Sequence, residues 1–157
     1  MAEGPIYLTT FIEGVLVHGT TTPFVLLVPC EYSPHRGLLM PPQTPWSPGF
    51  LPPALLQSQI GQSWGIPFRF VDSSKLPVVF DERTSRLPTP WLLRLEGLEG
   101  QQRLYLSHLL RTKALEEALP VPPEGAQWVG EKALGTLDLI PGVRRLCQAA
   151  LMTVKEG

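Results

Sequence analysis

The sequence predicts a mixed α/β sandwich, on three observations. Runs of β-branched and aromatic residues of strand length recur along the chain. One amphipathic helical stripe lies near the centre, and a second closes the C-terminus. Strands with a central and a terminal helix imply helices packed on a mixed sheet. At 157 residues, one unit spanning residues 1–157 with a single sizeable core is expected.

"IYLTTFIEGVLVHG" reads as a strand ending at Gly19, and "TTT" before Pro23 as a turn. "FVLLVPCE" is a continuous apolar run, as a strand covered on both faces would be. "YSPHRG" is a loop, and "LLMPP" a short extended piece ended by its prolines. A Pro-rich loop leads into the central helix, where Pro52 and Pro53 suit a first turn that needs no N–H. Leu56, Ile60 and Trp64 recur every fourth position, and Gly65 suits a left-handed C-terminal cap. Gly61 lowers helix propensity by about 1 kcal/mol against Ala, so packing must hold this helix.

"IPFRFV" and "LPVVFDE" read as short strands around the turn "DSSK". "TPWLLRLEGLE" alternates, with Trp91, Leu93 and Leu95 on one side and Arg94 and Glu96 on the other. "QQRLYLSHLLRT" is its hairpin partner through "GLEGQ". Ala114 to Leu119 fits a helical turn before the spacer "PVPPEG". "AQWVG" is a last short strand and "EKALGTL" a short helix or turn. Val143, Leu146, Cys147, Ala150 and Leu151 give the closing helix its apolar stripe.

Composition narrows the function classes. The net charge is −1, with no basic block, which argues against a nucleic-acid partner. No apolar run is long enough to cross a membrane, and "MAEGPIYLTT" lacks the pattern of a signal peptide, so a cytoplasmic protein without a membrane partner is expected. Cys30 and Cys147 have no metal-binding spacing and read as reduced, buried thiols. His18, His35 and His108 form no zinc-type pair. Asn is absent and prolines number 18, a bias shared with thermophile chains, although Gln is plentiful.

Fingerprints for dinucleotides, for P-loop phosphates and for a serine nucleophile elbow are all missing. The weaker candidates are scattered. Arg83 and Arg86 in "DERTSR" suit a phosphate or carboxylate. Glu124 stands in the loop before "QWVG", and Trp46 in the Pro-rich loop is placed to stack on a base. Glu96 and His108 lie on the two hairpin strands and are expected to face each other through a structural hydrogen bond.

The central stretch "PQTPWSPGFLPPALLQSQIGQSWGI" is unusual in carrying no charge. The order of strand, turn, strand, Pro-ended extended piece, "SPGF" loop, helix and Gly-Ile resembles a Nudix domain. That family's signature reads G, five residues, E, seven residues, R-E-U, one residue, E-E, one residue, G-U, with U bulky and apolar. Anchored on Gly65 and Ile66, it lies over Thr44 to Ile66 without a gap. The flanks "LLMPPQT", "LPTPWLLRLEGLEGQQRLYLSHLLRTKA" and "PEGAQWVGEKAL" resemble the family's corresponding stretches, so the resemblance covers nearly the whole chain. It implies an α/β/α sandwich with a mixed β-sheet, a central helix and a C-terminal helix.

The charged letters of the signature are replaced. Thr44 stands for the first Gly, Phe50 for the first Glu and Ser58 for the Arg, while Gln59, Gln62 and Ser63 stand for the metal-binding glutamates. Family members hydrolyse a diphosphate linked to another group with Mg²⁺ or Mn²⁺. Hard cations need anionic oxygen ligands, which a neutral Gln or Ser does not supply. The expectation is therefore a fold retained without its metal site, with no catalytic residue and no cofactor. Such a domain would bind a nucleotide-like or other phosphorylated ligand through Trp46, Arg83, Arg86 and Glu124, or dock on a second copy or a protein partner through its uncharged loop. The alternative is a nucleoside diphosphate-X hydrolase that places Mg²⁺ or Mn²⁺ on relocated carboxylates, with Glu31, Asp81, Glu82, Glu96 and Glu124 available.

Overall fold

The computed structural model describes residues 7–46, 49–71, 78–79, 85–86, 90–113 and 118–156. Its strands are β1 (Tyr7–His18), β2 (Phe24–Pro29), β3 (Leu39–Met40), β4 (Gln43–Pro45), β5 (Phe68–Phe70), β6 (Val78–Val79), β7 (Ser85–Arg86), β8 (Leu92–Leu98), β9 (Gln101–Thr112) and β10 (Gln127–Gly130). Helix α1 (Pro52–Leu56) runs on as a wider π-helical segment (Gln57–Ser63), and α2 (Glu131–Leu134) and α3 (Val143–Glu156) follow late in the chain. The main sheet has the order β10-β2-β1-β9-β5, with β3 on β2, β4 on β1 and β8 on β9. β1 and β9 run parallel and every other pair is antiparallel, so the sheet is mixed.

A helix covers each face. Leu56 and Ile60 pack with Ile12, Leu16, Leu106 and Leu110 on one side. On the other, Val143, Leu146, Cys147, Ala150 and Leu151 of α3 pack with Val15, Val17, Val25 and Leu109. The chain is thus an α/β/α sandwich, as the resemblance implied. None of the described helices is long and apolar enough to cross a membrane.

The central helix starts on its two prolines and ends with Gly65 at φ 67°, where Ile66 N–H reaches back to Ile60 O at 3.2 Å. It differs from the expected regular α-helix by widening from Gln57 onward. Gly14 of β1 lets it sit close: a Cβ there would stand 2.9 Å from Leu110 Cδ1 and 3.1 Å from Leu56 Cδ2.

The hairpin β8–β9 forms as expected, but its polarity is inverted. Leu93 and Leu95 are each 62% exposed, whereas Arg94 and Glu96 point inward. The reason is Glu13, a fully buried carboxylate on β1 that needs a cation on the same sheet face. Glu96 and His108 do not meet, contrary to expectation. The register pairs Glu96 with Arg103, which puts His108 five residues further along and on the opposite face. His108 packs edge-on against Phe70 instead. β4 is a strand where a Pro-rich loop was expected, because Gln43–Pro45 pairs with Phe11–Glu13. The turn expected at Ala114 to Leu119 lies largely outside the described residues.

Candidate functional site

Gln43 joins the buried sheet face to the neutral helix. It stands opposite Glu13 in the β1–β4 ladder, and its Nε2 donates to Glu13 Oε2 at 2.7 Å. Arg94 from β8 donates to the same carboxylate from Nε (3.2 Å to Oε1) and Nη2 (2.6 Å to Oε2). Ser107 Oγ of β9 donates to Oε1 at 2.5 Å. Four strands therefore converge on one buried charge, and every carboxylate oxygen is satisfied. The Arg94 guanidinium also lies 4.3 Å from the centre of the Tyr105 ring.

A second knot follows along the same face. Glu96 Oε2 accepts from His35 Nε2 at 2.9 Å, and Glu96 Oε1 accepts from Tyr105 OH at 3.2 Å. Burial, followed by the Glu96 carboxylate, pushes the Tyr105 phenol up to about 12. Arg103 ties this knot to the loop after β2 by donating to Ser33 O at 3.1 Å.

On the helix side, Gln59 Nε2 donates to the main-chain oxygen of Gln43 at 3.3 Å. That bond sets the amide's orientation, since a flip would set two oxygens against each other. Gln59 Oε1 is then buried, with no hydrogen-bond partner among the described residues. Both glutamines line a cleft of about 240 Å³. Glu31 and Tyr32 enter it from the end of β2, and Trp64 from the end of the π-helical segment. Glu124 enters from a β-turn closed by Ala126 N–H on Pro123 O at 3.0 Å, with Gly125 at φ 83° in its third position. The turn is anchored from behind, where Trp128 Nε1 donates to Pro120 O at 2.7 Å.

Of the six signature positions, Gln59 lines this cleft, while Phe50, Ser58, Gln62 and Ser63 are exposed and Thr44 sits in β4. Trp46 is not beside Glu124. It borders a separate open groove with Leu8, Thr10 and Pro45, and its Nε1 donates to Phe50 O at 2.9 Å. Arg83 lies outside the described residues, as do Asp81 and Glu82; the backbone of Arg86 lies in β7. Glu96 is held by His35 and Tyr105 away from the cleft.

Sequence reasoning passed over Glu13, Gln43 and Arg94. The available signal was a lone acid inside the apolar run "TTFIEGVLV", since a charge in a covered strand requires a partner.

The signature positions that the resemblance assigns to Mg²⁺ or Mn²⁺ carry no carboxylate. Among the described residues no three His, Cys, Asp or Glu side chains gather as a cation site. At the cleft the helix offers the Gln59 amide, a neutral group whose nitrogen donates to Gln43.

No protein-family model matches the chain, and no curated protein is similar to it in sequence. Solved structures do match. A Nudix-family hydrolase from Clostridium perfringens superposes with a TM-score of 0.65 at 11% identity, over 92% of this chain and 97% of that one. The Nudix hydrolase RenU from M. smegmatis gives 0.54 at 18% identity, over 94% and 84%. Shewanella oneidensis NrtR, solved in complex with a 27mer DNA, gives 0.57 at 10% identity over 90% of this chain and 59% of its own length. A fold that also occurs in a DNA complex does not support excluding nucleic acid, which the charge balance alone had suggested. The sandwich, the mixed sheet and the capped central helix together give this chain the Nudix fold.

Proposed function

We propose that this chain is a ligand-binding module on the Nudix fold, using the cleft beside Gln59 without the metal-dependent hydrolysis that the resemblance implies. The observation that carries this reading is the hydrogen bond from Gln59 Nε2 to Gln43 O. A glutamate at this position has no N–H to donate and would set its carboxylate against a carbonyl oxygen. The amide therefore has a structural use of its own here, beyond the loss of a ligand. The phosphorylated or nucleotide-like ligand expected from sequence would draw its counter-charge from Arg83 and Arg86. Isothermal titration against a nucleotide panel, paired with phosphate release in Mg²⁺ and Mn²⁺, tests the reading. Binding without turnover supports it, and turnover abolished by EDTA sinks it.

The alternative of a hydrolase with relocated carboxylates draws support from one observation, the presence of Glu31 and Glu124 on the same cleft. Its discriminating result is loss of phosphate release in both Glu31→Gln and Glu124→Gln.

A further inference from the structure

The described walls of the cleft carry negative charge. Among the described residues its lining includes Glu31 and Glu124 but no Lys, Arg or His. Neither carboxylate is ion-paired among the described residues. The buried Gln59 Oε1 has no donor among the described residues, and its orientation is fixed by the bond from the same amide to Gln43. Tyr32 and Trp64 bring aromatic rings to the same walls, and rings favour cations over anions.

We propose that the cleft takes a small organic cation, an amine or guanidinium on a short apolar stem. The proposal rests on the ligand-binding reading and names the class of ligand. The cationic head donates to Glu31 and Glu124, and the stem lies along Val28, Met40 and Pro123. A volume of about 240 Å³ is below the usual range for drug-sized ligands, which suits one head and a short chain. A bare divalent cation would leave the apolar and aromatic walls unused.

Isothermal titration of the intact chain with agmatine, ATP and MgCl₂ in separate arms tests this. Saturable heat from agmatine is expected. Glu31 and Glu124 are solvent-exposed, so Glu31→Gln and Glu124→Gln should fold normally and each weaken agmatine about three- to fivefold. The double variant should lose roughly the product. Glu131→Gln, whose parent carboxylate pairs with Lys155 in the α2–α3 region, should leave agmatine binding unchanged. An equal loss in that variant overturns the proposal, because the attraction would then be a property of net charge. Heat from ATP alone overturns the cation and leaves the ligand-binding module standing. Agmatine is titrated again in the presence of MgCl₂, and Mg²⁺ that displaces it overturns the proposal in favour of a metal. Silence in all three arms overturns the proposal, and the module then stands or falls on the nucleotide panel.

Discussion

Arg94 holds Glu13 through two hydrogen bonds, Nε to Oε1 at 3.2 Å and Nη2 to Oε2 at 2.6 Å, and no part of Glu13 reaches solvent. Removing the guanidinium strands a buried carboxylate, which typically costs 3–5 kcal/mol. Arg94→Met should lower stability by about that amount, read as a lower denaturant midpoint at unchanged m-value. The double variant Glu13→Leu with Arg94→Met leaves no stranded charge and should recover part of the loss. A double variant as unstable as the single one would show that the pair supports more than its own charge.

Gly14 is the point of closest approach between β1 and the central helix. A methyl group there meets Leu110, Leu56 and Ile60 between 2.9 and 3.2 Å, so three buried side chains must give way together. Overpacking of this kind typically costs about 1–3 kcal/mol. Gly14→Ala should lower the melting temperature, and because Leu56 and Ile60 anchor the helix, it should also disturb Gln59. Weaker binding of whatever ligand the wild-type cleft takes would accompany the loss of stability.

Tyr105 titrates near 12 because burial disfavours its phenolate, with the Glu96 carboxylate as the second cause. Its pKa is raised above the unfolded value near 10. The resulting stability is complete below pH 10 and is lost as the pH climbs from 10 to 12. The phenolate absorbance step that vanishes in Tyr105→Phe should therefore lie near pH 12. Glu96→Gln should lower it only in part, since burial remains. A step at pH 10 would mean that the phenol is open to water.

The legibility of this chain divides along a physical line. Apolar patterning with β-branched enrichment placed β1, β2, the β8–β9 hairpin, the central helix and α3, because burying these surfaces dominates the energetics, and the glycine placed the Gly65 cap. It did not reveal which side of β8 faces inward. An alternating strand has two faces, and hydropathy favours burying Leu93 and Leu95. The partner that reverses the choice, Glu13, lies 81 residues from Arg94 in sequence. The cleft was hidden for the same reason. Glu31, Gln59 and Glu124 come from three separate segments, and no local spacing connects them. Gln59 was visible as a replaced letter, but its bond to a main-chain oxygen was not.

His108 links burial to acid stability. It is 4% exposed and packs against Phe70, and its Nε2 is buried with no hydrogen-bond partner among the described residues. Burial lowers its pKa from the usual 6.5 to about 4. Between those values the unfolded chain takes up a proton that the folded chain refuses. Stability is thus complete above pH 6.5 and falls as the pH drops toward 4, by about 3 kcal/mol at 1.36 kcal/mol per unit. His108→Leu keeps an apolar side chain in that space and removes the proton. Denaturant unfolding from pH 7 to pH 4 should show the wild type losing stability faster than the variant across this window. Parallel curves would mean that the folded protein accommodates the protonated ring, through a partner that His108 gains on protonation.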